Sequence, residues 1–466
     1  MHWGLTKNYR GHIKTAKRKM KLINFIKNFT ASEQKMRLFK GSVGGLALKL
    51  SSTGLNFLSA ILMARLLGPT EYGIYSYAMA IIFFMSIPTS LGLPSLVVRY
   101  IASYHAKSEW GYIRGLLLTS NKVVIFSSII ILSLAWVSTY FFSDRFKPQQ
   151  LSTLQAALIL LPLMSLSGLR SATLQGLNYT IIAQLPETLL KSIIILSLLY
   201  AAYLFLPREV ITPVFVMYIQ VASTSIAFIT GAVLLWKRLP KHVKKTPSNF
   251  EYKKWLNSAL PFMLFGGVII LNQKTDLLML GWLSGTYSVG IYEVATRGAE
   301  IFIFILVSIN VAVGPTMTNL YVTGEIERLR KLITNCTYII SIVSLLLFSF
   351  IFYLGDIFIN TLFGLKYIDA YDPLIILCIG QLINALLGTI VGQLLIMTGH
   401  ERETTIGIGF GAVLNVILSY YLIPHFGING AALASTISLT TGNILLVFFA
   451  KKKLNINTTI FQIPTL

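Results

Sequence analysis

Charge is scarce in this sequence. Only 12% of its 466 residues are Asp, Glu, Lys or Arg, and acids are the scarcer kind, 17 against 39 basic residues. A soluble domain carries about twice that fraction of charge, so an ordinary water-soluble chain is excluded. Cysteine is nearly absent: Cys336 and Cys378 lie in apolar surroundings, with no CxxC spacing and no set from which to build a disulfide framework. Both are expected to be small core residues. Catalytic signatures are missing too, since no GxxxxGK[ST], HExxH or GxSxG occurs and no carboxylates cluster at metal-ligand spacing. Long polar loops are also lacking. The largest connection expected on the outer side, "GDIFINTLFGLKYIDAYD", runs only from Gly355 to Asp372, too short for a catalytic domain. These absences argue against an enzyme, and neither cofactor nor metal is expected.

What is present is hydrocarbon: 55% of residues are hydrophobic and the mean hydropathy is +0.70. Crossing ~30 Å of acyl chains takes roughly 20 apolar residues as a helix, and stretches of that length recur about twelve times. They fall near 43–67, 74–98, 115–142, 151–172, 180–206, 210–236, 257–282, 287–313, 332–354, 371–397, 404–423 and 427–450. Runs such as "VVIFSSIIILSLAWV" leave no alternate polar face for a barrel lumen. The expected fold class is therefore an all-α polytopic membrane protein of about twelve transmembrane helices.

The net charge of +22 follows this topology. If the N-terminus is cytoplasmic, 29 Lys and Arg fall on that side, Arg170 among them, and four on the other: Arg145, Lys147, Arg208 and Lys366. Such a split is what the positive-inside rule requires of an even number of helices with both termini inside. The basicity thus reads as topology and attraction to anionic membrane lipids, and no nucleic-acid partner is expected. Residues 1–41 hold eleven Lys and Arg and lack the apolar core of a signal peptide. Within them "KTAKRKMKLINFIKNF" reads equally as a basic amphipathic segment on the inner leaflet or as a disordered basic tail.

The chain repeats itself. "YGIYSYA" and "VGIYEVA" set Gly73 against Gly290, and "YLFLPREVITP" and "YYLIPHFGING" set Pro207 against Pro424 at the identical sequence offset. Equal offsets at two distant points argue for duplication. The expected organisation is a basic segment (1–41), a six-helix lobe (42–236), a cytoplasmic linker (237–256), a second six-helix lobe (257–450) and a cytoplasmic tail (451–466). With an even number of spans in each, the lobes are related by an axis along the membrane normal, and a cavity between them is the expected route.

Nine ionisable residues fall inside the expected spans: Lys49, Lys122, Glu187, Lys191, Lys274, Asp276, Glu293, Arg297 and Glu300. At ~3 kcal/mol each near the bilayer centre, lipid exposure of all nine would cost about 25 kcal/mol, so they must face one another or water. Glu293, Arg297 and Glu300 share one helix face, and Arg297 is placed to pair with both acids. Gln184, Glu187 and Lys191 form a second stripe, in which Glu187 and Lys191 could be an intrahelical pair; Lys49 and Asn56 lie on a third. Lys274 and Asp276 are two apart and cannot share a face, so one needs a partner on another helix. Arg65, near an outer end, is expected to snorkel or cap. Pro88, Pro94, Pro162, Pro186 and Pro261 are expected to bend or begin helices.

The turn "ARLLGPTEYGIYSYA", residues 64–78, breaks one helix at Gly68-Pro69 and starts the next beside Gly73. This A-R-x-L-G-P-x-x-Y-G-x-Y pattern resembles the Wzx-type O-antigen flippases of the multidrug/oligosaccharidyl-lipid/polysaccharide exporter superfamily. "DLLMLGWLSGTYSVGIYEVATR" (276–297) and "IPHFGINGAALAST" (423–436) resemble two further signatures in the same order. The resemblance implies a MATE-like, two-lobed fold. It also implies movement of an undecaprenyl-diphosphate-linked oligosaccharide across a bacterial cytoplasmic (inner) membrane by alternating access, for surface polysaccharides such as the O-antigen of lipopolysaccharide. Related families flip the peptidoglycan precursor, with longer chains and more arginine in the cavity, or expel drugs in exchange for Na⁺ or H⁺. A flippase cavity must replace water around a diphosphate with cations and hydroxyls. Lys49, Lys122, Lys191 and Arg297 are the candidate cations, with Asn56 and Gln184 beside them for the sugar and Glu187 as a further cavity candidate. Asp276, Glu293 and Glu300 are candidates for H⁺ or Na⁺ coupling, and a polysaccharide polymerase is a possible partner complex.

Overall fold

The computed structural model describes residues 5–141 and 147–460, with side chains from residue 44 onward except at 46, 140, 303–308, 310–312 and 315. Arg145 and the side chains of 14–29 lie outside the described residues. The chain divides into two compact units, 1–47 and 48–466. The first is helical from Leu5.

Helices and the turns and loops between them make up all of the described residues. The order begins α1 (Leu5–Ser90), α2 (Leu93–Ala106), α3 (Trp110–Phe141), α4 (Pro148–Leu158) and α5 (Leu160–Gly176), followed by α6 (Thr180–Leu185), α7 (Lys191–Phe205), α8 (Pro213–Arg238) and the short α9 (Lys241–Lys245). It continues with α10 (Tyr252–Leu283), α11 (Thr286–Val322), α12 (Ile326–Leu362), α13 (Tyr371–Leu387), α14 (Val391–Met397) and α15 (Glu401–Leu454). Among the described residues nine segments are long and apolar enough to cross a membrane. Two of them, Ala47–Ser90 and Glu401–Leu454, leave helical geometry at Gly68 and Gly427 respectively.

Large apolar side chains face outward along these segments. On α3, Phe126 is 68% and Phe141 76% exposed, which water would penalise heavily and acyl chains welcome. The largest buried cluster joins both halves of the chain. Tyr72, Tyr75 and Ile82 of α1 pack in it with Ile291, Val294 and Phe302 of α11 and with Leu374 of α13.

The expected helix breaks are present, and some spans expected to be continuous are not. Gly68 (φ 75°, ψ 173°) and Gly285 (φ 84°, ψ 175°) adopt nearly the same backbone geometry, one that is essentially glycine-only. They too are separated by the offset of the internal repeat. The span expected at 371–397 is interrupted at Gly388 (φ 88°), whereas that at 151–172 runs on through Ile159, which keeps helical backbone angles between α4 and α5. Pro186 opens a π-helical turn, Pro186–Leu190, between α6 and α7, where the missing N–H of proline loosens the usual ladder.

The connection after α8 is docked rather than loose. Arg114 of α3 donates to the carbonyls of Lys244 and Thr246 at 3.1 and 2.8 Å, and the Asn249 N–H donates to Gly111 O. At Gly115 a Cβ would sit 1.9 Å from Asn249 O, so only glycine admits this approach. Tyr104 of α2 donates to Glu251 at 2.5 Å and accepts from Trp255 Nε1 at 3.1 Å. Arg65 caps α12, donating to the carbonyls of Leu362 (2.8 Å) and Thr361.

Candidate functional site

On α11 the spacing 293, 297, 300 folds as expected into one stripe. Arg297 bridges Glu293 at 2.6 Å and Glu300 at 3.1 Å. Glu293 is 5% exposed and Glu300 opens toward a cavity. The Arg297 Nε has no hydrogen-bond partner among the described residues.

That cavity has a volume of about 840 Å³ and is partly open. Lys49, Thr53 and Asn56 come from α1, Lys274 and Asp276 from α10, Tyr292, Thr296, Arg297 and Glu300 from α11. The α1 residues stand at the helical spacing of one inward face. Polar, uncharged side chains complete the lining: Gln381 and Asn384 of α13, Thr389 at the Gly388 break, and Asn415, Ser438 and Asn443 of α15.

Asp276 is held from two other helices. Its carboxylate accepts from Tyr292 of α11 at 2.8 Å and from Asn415 of α15 at 2.9 Å, while Ser419 donates to Asn415 Oδ1 at 3.0 Å. Lys274 lines the same cavity, with its ammonium 5.4 Å from the centre of the Phe83 ring.

The sequence candidates divide. Lys49, Asn56, Asp276, Arg297 and Glu300 line the cavity, and Glu293 stands behind Arg297. Asn56 also accepts from Ser192 Oγ of α7 at 2.9 Å. Lys122, Gln184, Glu187 and Lys191 are not brought to it. Lys122 is exposed on α3, and Lys191 is partly buried on α7.

Glu187 has a different partner from the expected Lys191. Arg170, counted from the sequence among the cytoplasmic charges, is 4% exposed and bonds to Glu187 at 2.8 Å. It also donates to the carbonyls of Ala227 (3.0 Å) and Phe228 (3.3 Å) on α8. Room comes from Gly231, where a Cβ would lie 1.1 Å from Arg170 Nη1. The π-turn carries Glu187 toward α5, so a spacing of four in sequence does not become a contact. Only a missing side chain at position 231, in a different helix, marks the burial of Arg170.

Comparison with known proteins gives the same architecture. The MatE family matches residues 265–421. Among solved structures, an inward-facing multidrug resistance MATE family transporter of the MOP superfamily superposes with a TM-score of 0.73 at 16% identity, covering 89% of this chain and 98% of that one. The lipid II flippase MurJ, in an inward closed conformation, gives 0.65 at 15% identity, covering 89% and 87%. Among sequences, the probable low-salt glycan biosynthesis flippase Agl15 of Haloferax volcanii is 24% identical over 88% of this chain and 83% of its own. The probable flippase AglR of the same organism is 30% identical over 37% of this chain, a match spanning only 36% of AglR. The fold is that of the MATE transporters, and the match of the polysaccharide biosynthesis protein family to residues 39–321 shows that this chain belongs to that family.

Proposed function

We propose that this protein is a flippase that carries a polyprenyl-diphosphate-linked oligosaccharide of a surface polysaccharide across the membrane by alternating access. The observation that carries the reading is the cavity of about 840 Å³ in an apolar bundle, lined by Lys49, Lys274 and Arg297, by the carboxylates Asp276 and Glu300, and by neutral amides. Cations offer the diphosphate replacements for its lost water, and amides do the same for sugar hydroxyls. The polyprenyl tail stays among the outward-facing apolar side chains.

In this reading the chain makes about twelve crossings in two six-helix lobes, 42–236 and 257–450, joined by the docked linker, with both termini cytoplasmic. The internal repeat and the excess of basic residues on the cytoplasmic side, 28 to 4 once the buried Arg170 is set aside, support it. A probable low-salt glycan biosynthesis flippase and a capsular polysaccharide biosynthesis protein of Staphylococcus aureus among the relatives favour surface glycans as a class. O-antigen and the bacterial inner membrane rest on the sequence resemblance alone. Asp276, buried and held by Tyr292 and Asn415, is assigned the coupling role for H⁺ or Na⁺.

One observation favours a second reading. Arg297 is already flanked by two carboxylates, an environment that also suits a cation-coupled antiporter of cationic drugs. Proteoliposomes separate the two. Lipid-linked oligosaccharide placed in the inner leaflet should become reachable by an external, impermeant lectin only when the protein is present. Ethidium export without lectin access would replace the flippase reading with the antiporter.

A further inference from the structure

The neutral lining of the cavity holds hydroxyls without partners among the described residues. Ser438 of α15 is 1% exposed, lines the cavity and has no hydrogen-bond partner among the described residues; Thr389 Oγ1 is in the same position. Helical hydroxyls normally satisfy themselves on the preceding turn. Thr441 does so on Ile437 O at 2.7 Å, and nearby Thr436 reaches Ile376 O at 3.0 Å. Ser438 does neither, and a buried hydroxyl left unpaired costs free energy.

Beside it, Asn443 Nδ2 donates to Asn384 Oδ1. The contact uses one N–H and one lone pair, leaving the Asn384 amide nitrogen as a donor and the Asn443 carbonyl as an acceptor side by side. Gln381, one turn before Asn384 on α13, adds a third amide to the same face. Asn415 differs, because Asp276 and Ser419 occupy it. Paired donors and acceptors with no charge match vicinal hydroxyls or an acetamido group. They do not match a carboxylate, which would need the cations on α1, α10 and α11.

We infer that Gln381, Asn384, Asn443, Ser438 and Thr389 form a recognition subsite for neutral sugar residues, separate from the cationic subsite that holds the diphosphate. The inference rests on the flippase reading and names its sugar-binding element. The separation follows from the helices: Gly298, next to Arg297, faces Leu374 of α13, and Asn384 lies almost three turns further along, ~15 Å at about 1.5 Å per residue. A sugar chain extending from a diphosphate at Arg297 along α13 reaches the amides.

The test uses the full-length protein in nanodiscs and two probes, undecaprenyl diphosphate and undecaprenyl-diphosphate-linked N-acetylglucosamine disaccharide. Wild type should bind the glycosylated probe about tenfold more tightly than the bare one, the increment of one or two well-made hydrogen bonds. Asn384→Leu with Ser438→Ala should erase this preference and leave binding of the bare lipid within about twofold. Gln381→Met, which keeps volume and breaks no contact between Asn384 and Asn443, should reduce the preference in part and guards against misfolding of the double variant. A preference retained in both variants, or equal loss for both probes, overturns the subsite. Failure of wild type to bind either lipid overturns the flippase reading and the subsite with it.

Discussion

Gly73 and Gly290 face each other across the meeting of α1 and α11, and their contacts are reciprocal. A Cβ on Gly73 would lie 1.7 Å from Thr286 O, and one on Gly290 would lie 1.9 Å from Pro69 O. Pro69 and Thr286 stand at the same sequence offset as the two glycines, so each copy of the repeat presents the same backbone oxygen to the glycine of the other. This is the self-complementary contact that a two-fold relation produces. The duplicated motif is its own packing partner.

Gly73→Ala and Gly290→Ala should therefore be similarly damaging, each by about 1–3 kcal/mol from overpacking against backbone that cannot move aside. Thermal unfolding of the purified protein checks this. Melting unchanged in one variant and lowered in the other would contradict the symmetry.

The pair of buried Arg170 and half-buried Glu187 is expected to be structural. Arg170→Met should destabilise by roughly 3 kcal/mol, because Glu187 keeps a charge with no partner. The double variant Arg170→Met, Glu187→Met should recover much of that loss. Gly231→Ala should mimic the single change, since the new methyl takes the space of the guanidinium. A double-mutant cycle in thermal unfolding measures the coupling, and strict additivity would contradict it.

How far the sequence reveals such features depends on whether they are periodic. The apolar spans, the Gly68 break and the Glu293, Arg297, Glu300 stripe are all local patterns, and each is visible in one segment. The face that a helix turns to its neighbours is not local. Lys122 and Lys191 have the same credentials as Lys49 until the helices are assembled. Arg170 sits near a span end, where solvent is the natural expectation, and its burial depends on Gly231, a residue of a different helix far along the chain. The amides of the cavity leave no mark in the sequence, because Asn384 and Asn443 carry no charge and their meeting requires α13 and α15 to be side by side.

The docked linker should respond to acid. Hydrogen bonds from Tyr104 and Lys254 hold the Glu251 carboxyl below its ordinary value of 4.5. A depressed carboxylate stabilises the folded state above its unfolded value, and the contribution fades as pH falls through the lower, folded value. Limited proteolysis at 237–256 should therefore quicken below about pH 4.5. Glu251→Gln should be cut faster at neutral pH and lose most of that pH dependence. A variant with wild-type behaviour at both pH values would contradict the role of Glu251.

The central claim is that the cavity is the transport path, and Lys122 supplies the control because it lies outside. In cells that depend on this protein for surface polysaccharide, Arg297→Gln and Lys274→Gln should each lower polysaccharide at least tenfold at equal membrane abundance, while Lys122→Gln stays within about twofold. Full polysaccharide from both cavity variants, or a loss confined to Lys122→Gln, would contradict the account.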